Sequence, residues 1–160
     1  MENIIQLKKD SILRFTIEDE NGVDTGDTLE FDLEDVELPL RYQELMEKNK
    51  KNEQWLNNTL KIINNRQDVK GKKLYSKNEE DRMKALAEFF KKEEEVYNLF
   101  LGENGVQKLL RGRKLGWSSF DEINEIITTY ILPKLELQVE NINEKIKGKY
   151  SIEEQENVLE

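Results

Sequence analysis

The amino-acid sequence predicts an α+β protein that is mainly α: an N-terminal β-hairpin followed by a body of four to five helices. Three observations carry this. Leu13, Phe15 and Ile17, and then Leu29, Phe31 and Leu33, alternate with polar residues, the period-two pattern of half-buried strands. From Pro39 onward, apolar residues recur at three- and four-residue spacing, the mark of amphipathic helices. Hydrophobic residues make up 36% of 160 residues, against 37% charged. That apolar share is low but sufficient for one folded core.

The two alternating runs flank Asp19–Asp27, a stretch of Asn, Asp and Gly that reads as a long acidic turn. A lone hairpin is marginal in water, so this one must dock on the helices, on a third strand near Ile4 to Leu7, or on another chain. Pro39 suits the first turn of a helix. Tyr42, Leu45 and Met46, then Leu56, Leu60 and Ile63, form its stripe, with a polar middle from Glu47 to Gln54 where the helix is wet or breaks.

Asn64 to Tyr75 is a basic linker. Ser76 and Glu79 match a capping box. The next helix carries Met83, Leu86, Phe90, Tyr97 and Leu101 as one stripe, widened by Phe89, Val96 and Phe100, and Gly102 ends it. Val106, Leu109 and Leu110 mark a short helix. Gly112 and Gly116 punctuate a basic turn. Ser118 or Ser119 caps the last helix, Ser119 and Glu122 forming a second capping box, and the helix buries Phe120, Ile123, Ile126, Ile127, Tyr130 and Ile131. Pro133 falls inside that pattern and is expected to kink or split it. A thinner stripe of Leu135, Val139, Ile142 and Ile146 follows, and Gly148 is expected to stop the helix. The organisation expected is therefore an acidic hairpin arm over 1–38, a helical body over 39–147 with its compact core at about 77–132, and a flexible acidic tail over 148–160.

Charge and composition exclude several classes of function. There is no cysteine and no histidine, so disulfides, thiolate or imidazole metal sites and Ser-His or Cys-His nucleophile pairs are ruled out. No apolar run approaches the roughly 18 residues of a membrane span, and no apolar run of a secretory signal follows Lys8 and Lys9. A cytoplasmic location is expected. The net charge is −9, and residues 1–40, with twelve acids and three bases, account for all of it. Such a segment repels a nucleic-acid backbone and suits a basic partner surface.

Particular motifs add no catalytic, cofactor or metal site. Asp24-Thr25-Gly26 is the tripeptide of aspartic proteases, but Glu-Asn-Gly stands where the preceding apolar strand belongs, and turn chemistry accounts for it. The same loop fails the EF-hand spacing, with Val23 and Asp24 at the fifth and sixth positions counted from Asp19. Arg66 to Lys73 and Lys108 to Lys114 are basic clusters. Helix-end charge complementarity and pairing between subunits explain such clusters more simply than nucleic acid does. No phosphate-cradling glycine loop is present.

One resemblance is specific enough to name. Phe31 to Met46 (FDLEDVELPLRYQELM) is an acidic strand leading into a helix. Val96 to Leu110 (VYNLFLGENGVQKLL) is an aromatic helix that turns at glycines into a short helix, and a basic turn then leads to the amphipathic helix Phe120 to Leu132. This order, over about residues 28–135, resembles the small tail assembly chaperone-like proteins of long-tailed phages and prophages of Gram-positive bacteria. The resemblance implies a non-catalytic protein of the host bacterial cytoplasm. It would bind the long coiled-coil tape measure protein, and possibly the tail tube protein, during tail morphogenesis.

The expected client-binding residues are Phe100, Leu101, Val106, Leu109, Leu110 and Trp117, with self-association when the client is absent. Two other readings remain open. One is a structural or connector protein of the particle, using the hairpin as an assembly arm; the other is a small acidic anti-defence inhibitor.

Overall fold

The structure is a computed structural model and describes residues 2–6 and 10–150. The acidic segment 151–160, and Leu7 in the candidate third strand, lie outside the described residues. Residues 2–6 carry no strand, and Ile4 and Ile5 are exposed. The fold is α+β and mainly α, as the periodicities require.

Strands β1 (Ile12–Glu18) and β2 (Asp24–Asp32) pair antiparallel, with Ile12 opposite Asp32 and Phe15 opposite Leu29. The turn between them is shorter than expected, because β2 already begins at Asp24. Asp19 explains this: its carboxylate accepts the amides of Asn21 and Val23 at 2.8 and 2.9 Å, which closes the turn locally. The remaining residues of the expected loop form a bulge between the Thr16–Thr28 and Glu18–Asp24 pairs. Thr25 donates its hydroxyl to the Ile17 carbonyl at 2.7 Å, replacing a ladder bond the bulge removes. Gly26 supplies the φ of +82° that the bulge needs.

The helices are α1 (Leu38–Asn65), α2 (Lys77–Leu101), α3 (Gly105–Leu110), α4 (Trp117–Ile126) and α5 (Leu132–Tyr150), with the π-helical segment Ile127–Ile131 joining the last two. Two compact units divide the chain. One comprises Met1–Leu40 and Asn124–Glu160, the other Arg41–Ile123. The hairpin falls in the same unit as the C-terminal helix, and the stretch 77–132 is divided between the two units. A two-stranded sheet cannot bury its apolar face alone, and this one does so with the C-terminal helices of its own unit. Phe15 meets Phe31 and Tyr130 edge-on at 6.2 and 6.3 Å. Gln138 donates to the Asp35 carbonyl at 2.8 Å.

Pro133 produces a π-turn rather than a break. It cannot donate to the carbonyl four residues back, and its ring crowds that turn. The helix widens just upstream, where the Leu132 amide reaches the Ile127 carbonyl. Ile127, Ile131, Leu135 and Gln138 then share one buried face, whereas Val139 and Tyr130, expected inside, are exposed. Nor does Gly148 stop the helix, which continues to Tyr150.

The second unit is organised around an antiparallel α1–α2 pair. Tyr42 packs on Phe100 at 5.4 Å, Asn49 bonds Tyr97, Asn52 bonds Glu93 and Asn64 bonds Arg82, so partners descend α2 as they ascend α1. The polar middle of α1 does not break the helix, because its two asparagines face polar groups on α2. Ser76 caps α2 as expected, accepting the Glu79 amide at 3.2 Å. Met83 and Leu86 do not lie on the fully buried face, which holds Ala85, Phe89, Phe90, Val96, Tyr97, Phe100 and Leu101.

Candidate partner-binding groove

Glycine and asparagine chemistry builds the turn that positions the groove. Gly102 leaves α2 at φ +99°, and its amide is held by the Asn98 carbonyl at 2.9 Å. The Asn98 side chain accepts the Val106 amide at 2.9 Å and so caps the start of α3. A Cβ on Gly105 would stand 2.5 Å from the Leu101 Cβ, so α3 approaches α2 as closely as only glycine permits. Asn104 and Arg111 both adopt left-handed conformations, and the second ends α3 and turns the chain into the basic segment.

Phe100, Leu101, Val106 and Leu110 are all buried here, Val106 completely. They hold α3 onto α2 and are not open to a partner. Leu109 is half-buried, and Trp117 is 65% exposed. Of the six expected client-binding residues, the turn therefore brings four into the core and leaves these two facing outward. Trp117 does not stand alone. Its ring meets Phe90 edge-on at 5.7 Å, and Phe90 stacks on Phe120 at 6.0 Å. Ser119 does not cap this last helix. Its hydroxyl donates to the Lys114 carbonyl at 3.0 Å, tying the basic turn to α4, which begins at Trp117.

Beside this aromatic cluster runs a groove of about 390 Å³ between α2, α3 and the basic turn. Ala87 and Leu115 are its accessible apolar side chains, and the buried Phe90, Val106 and Leu110 form its floor. Its rim carries Lys91, Glu94, Arg113 and Lys114. Arg113 is held by Glu122 at 3.0 Å and by the Leu110 carbonyl at 3.2 Å. Lys91 and Lys114 make no ion pair among the described residues. Lys91 and Leu115 were not legible as site residues. The first sits on the polar side of α2, and the second lies in a loop with no periodicity to read.

Other chemically suggestive groups are structural. Burial pushes the Glu93 carboxyl up to about 7, with the Glu53 charge adding to it and the Asn52 hydrogen bond opposing it. That is a value useful in acid–base catalysis. Glu93 is only 6% exposed, however, between α1 and α2, and does not line the groove. Arg66 of the first basic cluster bonds Asn78 at 2.8 Å and Asp81, while Asn78 donates to the Ile63 and Arg66 carbonyls at the end of α1. The Ser76 hydroxyl and then the Asn78 amide, both bonded to Asp68, hold its carboxyl below the ordinary range. The first cluster is thus a helix-to-helix connection.

Asp24 of the Asp-Thr-Gly triplet is exposed on the bulge and accepts the Gly26 amide at 2.8 Å. Among the described residues no helix is long and apolar enough to cross a membrane. No family model, curated protein or solved structure matches the chain.

Proposed function

We propose that this chain is a non-catalytic binding protein that acts as a tail assembly chaperone, holding the helical tape measure protein through the groove beside Trp117. The observation that supports this best is an exposed indole in edge-on contact with Phe90, a residue that lines the neighbouring groove. A large aromatic ring in water costs hydration free energy that a partner can recover, and such rings are enriched at binding hot spots. A groove between helices suits an amphipathic helix laid into it, with anchors at three- and four-residue spacing. Lys91 and Lys114 would meet acidic residues flanking those anchors. Many copies bound along a long client would add to the affinity of each. The connector reading draws on a free hairpin arm, and the docking of the hairpin on its own unit leaves it without that support.

Co-expression with the long coiled-coil protein encoded beside this chain tests the proposal. The client is expected to become soluble and to co-purify, and Trp117→Asp or Lys114→Glu, both at exposed residues, is expected to abolish co-purification without unfolding the chaperone. A client that stays insoluble and unbound, with this chain recovered in purified particles, would overturn the reading in favour of the connector.

A further inference from the structure

A second groove, of about 440 Å³, lies in the other unit, between the end of the hairpin and α5. Its apolar surface comes from Leu33 and Val36 on one side and Leu137, Ile142 and Ile146 on the other. It is preformed, because the Gln138–Asp35 bond and the Leu33 amide donating to the Ser11 carbonyl at 2.9 Å fix the 33–36 wall. From Lys134 to Tyr150 it follows α5 for about 24 Å at roughly 1.5 Å per residue.

The charges of α5 are sorted about this groove. Lys134, Lys145 and Lys149 line it and make no ion pair among the described residues. Glu136, Glu140 and Glu144, spaced four apart, run along another side of the helix and do not line the groove. Among the described residues, the one acid that lines the groove is Glu34 of the opposite wall. In a protein of net charge −9, this is a locally cationic apolar trough.

We infer that the α5 groove is a docking site for an acidic amphipathic helix of another protein, independent of the Trp117 groove. Charge selects this occupant. A second α5 would bring the three lysines against their own copies, which repel. Length selects a helix of about 16 residues, the span of the trough. Ile142 and Ile146, four apart, offer the ridge into which its apolar anchors pack.

The probe is a labelled 18-residue helical peptide with leucines at three- and four-residue spacing flanked by glutamates, and a twin in which lysines replace the glutamates. Fluorescence anisotropy with the full chain is expected to show binding of the acidic peptide alone, weakened at least tenfold by Lys145→Glu/Lys149→Glu and unchanged by Trp117→Asp. The double variant is expected to take the lysine twin instead. These lysines are exposed, and circular dichroism should show the variant folded. Failure of the acidic peptide to bind, or equal binding by the double variant, overturns the inference. Two further results would reassign the occupant and overturn it equally. One is a dimer by light scattering that the lysine variant abolishes. The other is peptide binding seen only after residues 151–160 are removed, since that acidic segment would then be the natural occupant.

Discussion

Replacing Glu93 with glutamine isolates the cost of an ionised carboxylate inside the α1–α2 pair. Glu93 Oε1 accepts the Asn52 amide at 3.1 Å, and the glutamine carbonyl retains that bond. What changes is the ability to ionise. Burial raises the Glu93 carboxyl from an ordinary 4.5 to about 7. At about 1.36 kcal/mol per pKa unit, the shift corresponds to roughly 3 kcal/mol. A carboxyl whose folded pKa is raised favours the folded state in its protonated form. Its contribution is therefore complete below about 4.5 and is lost as the pH rises through about 7.

The variant and the parent should be equally stable near pH 4.5. By pH 8 the variant should be more stable by about 2–3 kcal/mol. Urea unfolding at intervals between pH 4.5 and 8 reads the difference directly. A stability difference that stays constant across that range would refute the argument, because it would mean that Glu93 titrates as an ordinary surface carboxylate.

Other expectations follow from the same packing. Gly105→Ala sets a methyl 2.5 Å from the Leu101 Cβ, both atoms being fixed to backbone, and should cost about 1–3 kcal/mol by chemical denaturation. Phe90→Ala removes a buried ring in contact with Trp117 and Phe120 and should cost about 3–5 kcal/mol. Trp117→Ala, at an exposed ring, should cost under about 1.5 kcal/mol, so unfolding by denaturant should separate the two. Deleting Thr129 alone should destabilise by about 3 kcal/mol, because Pro133 would then sit in an unwidened α-helix. Adding Pro133→Ala should restore the loss, and a failure of that rescue by thermal melting would sever the link between the proline and the π-turn.

The hairpin, the caps at Ser76 and Gly102, and the start of α1 near Pro39 were legible because each follows from local chemistry: alternation, a hydroxyl acceptor, a positive φ, a fixed φ. The register of the C-terminal helix was not. The sequence shows that Pro133 must disturb the pattern, but the widened turn lies upstream of the proline and turns Gln138 inward in place of Val139. Nor could the polar run 47–54 disclose that Asn49 and Asn52 face Tyr97 and Glu93, since those partners lie more than forty positions away.

The candidate site was half legible. The glycine turn singled out in the sequence lies beside the groove, with Trp117 exposed and Leu109 half-buried next to it. Phe100, Leu101, Val106 and Leu110 share the same spacing but bury themselves, because hydrophobic periodicity marks a face without saying whether the chain or a partner covers it.

Binding of a helical client through the groove beside Trp117 can be measured directly. The most direct test is the dissociation constant of a purified tape measure fragment, measured by calorimetry against the parent, Trp117→Ala, Lys114→Glu and the control Met83→Ala, an exposed apolar residue that belongs neither to the groove lining nor to the Trp117–Phe90 ring contact. At least a tenfold loss is expected for the first two variants and none for the control. Equal affinity across all four proteins would contradict it, as would an absence of binding by the parent.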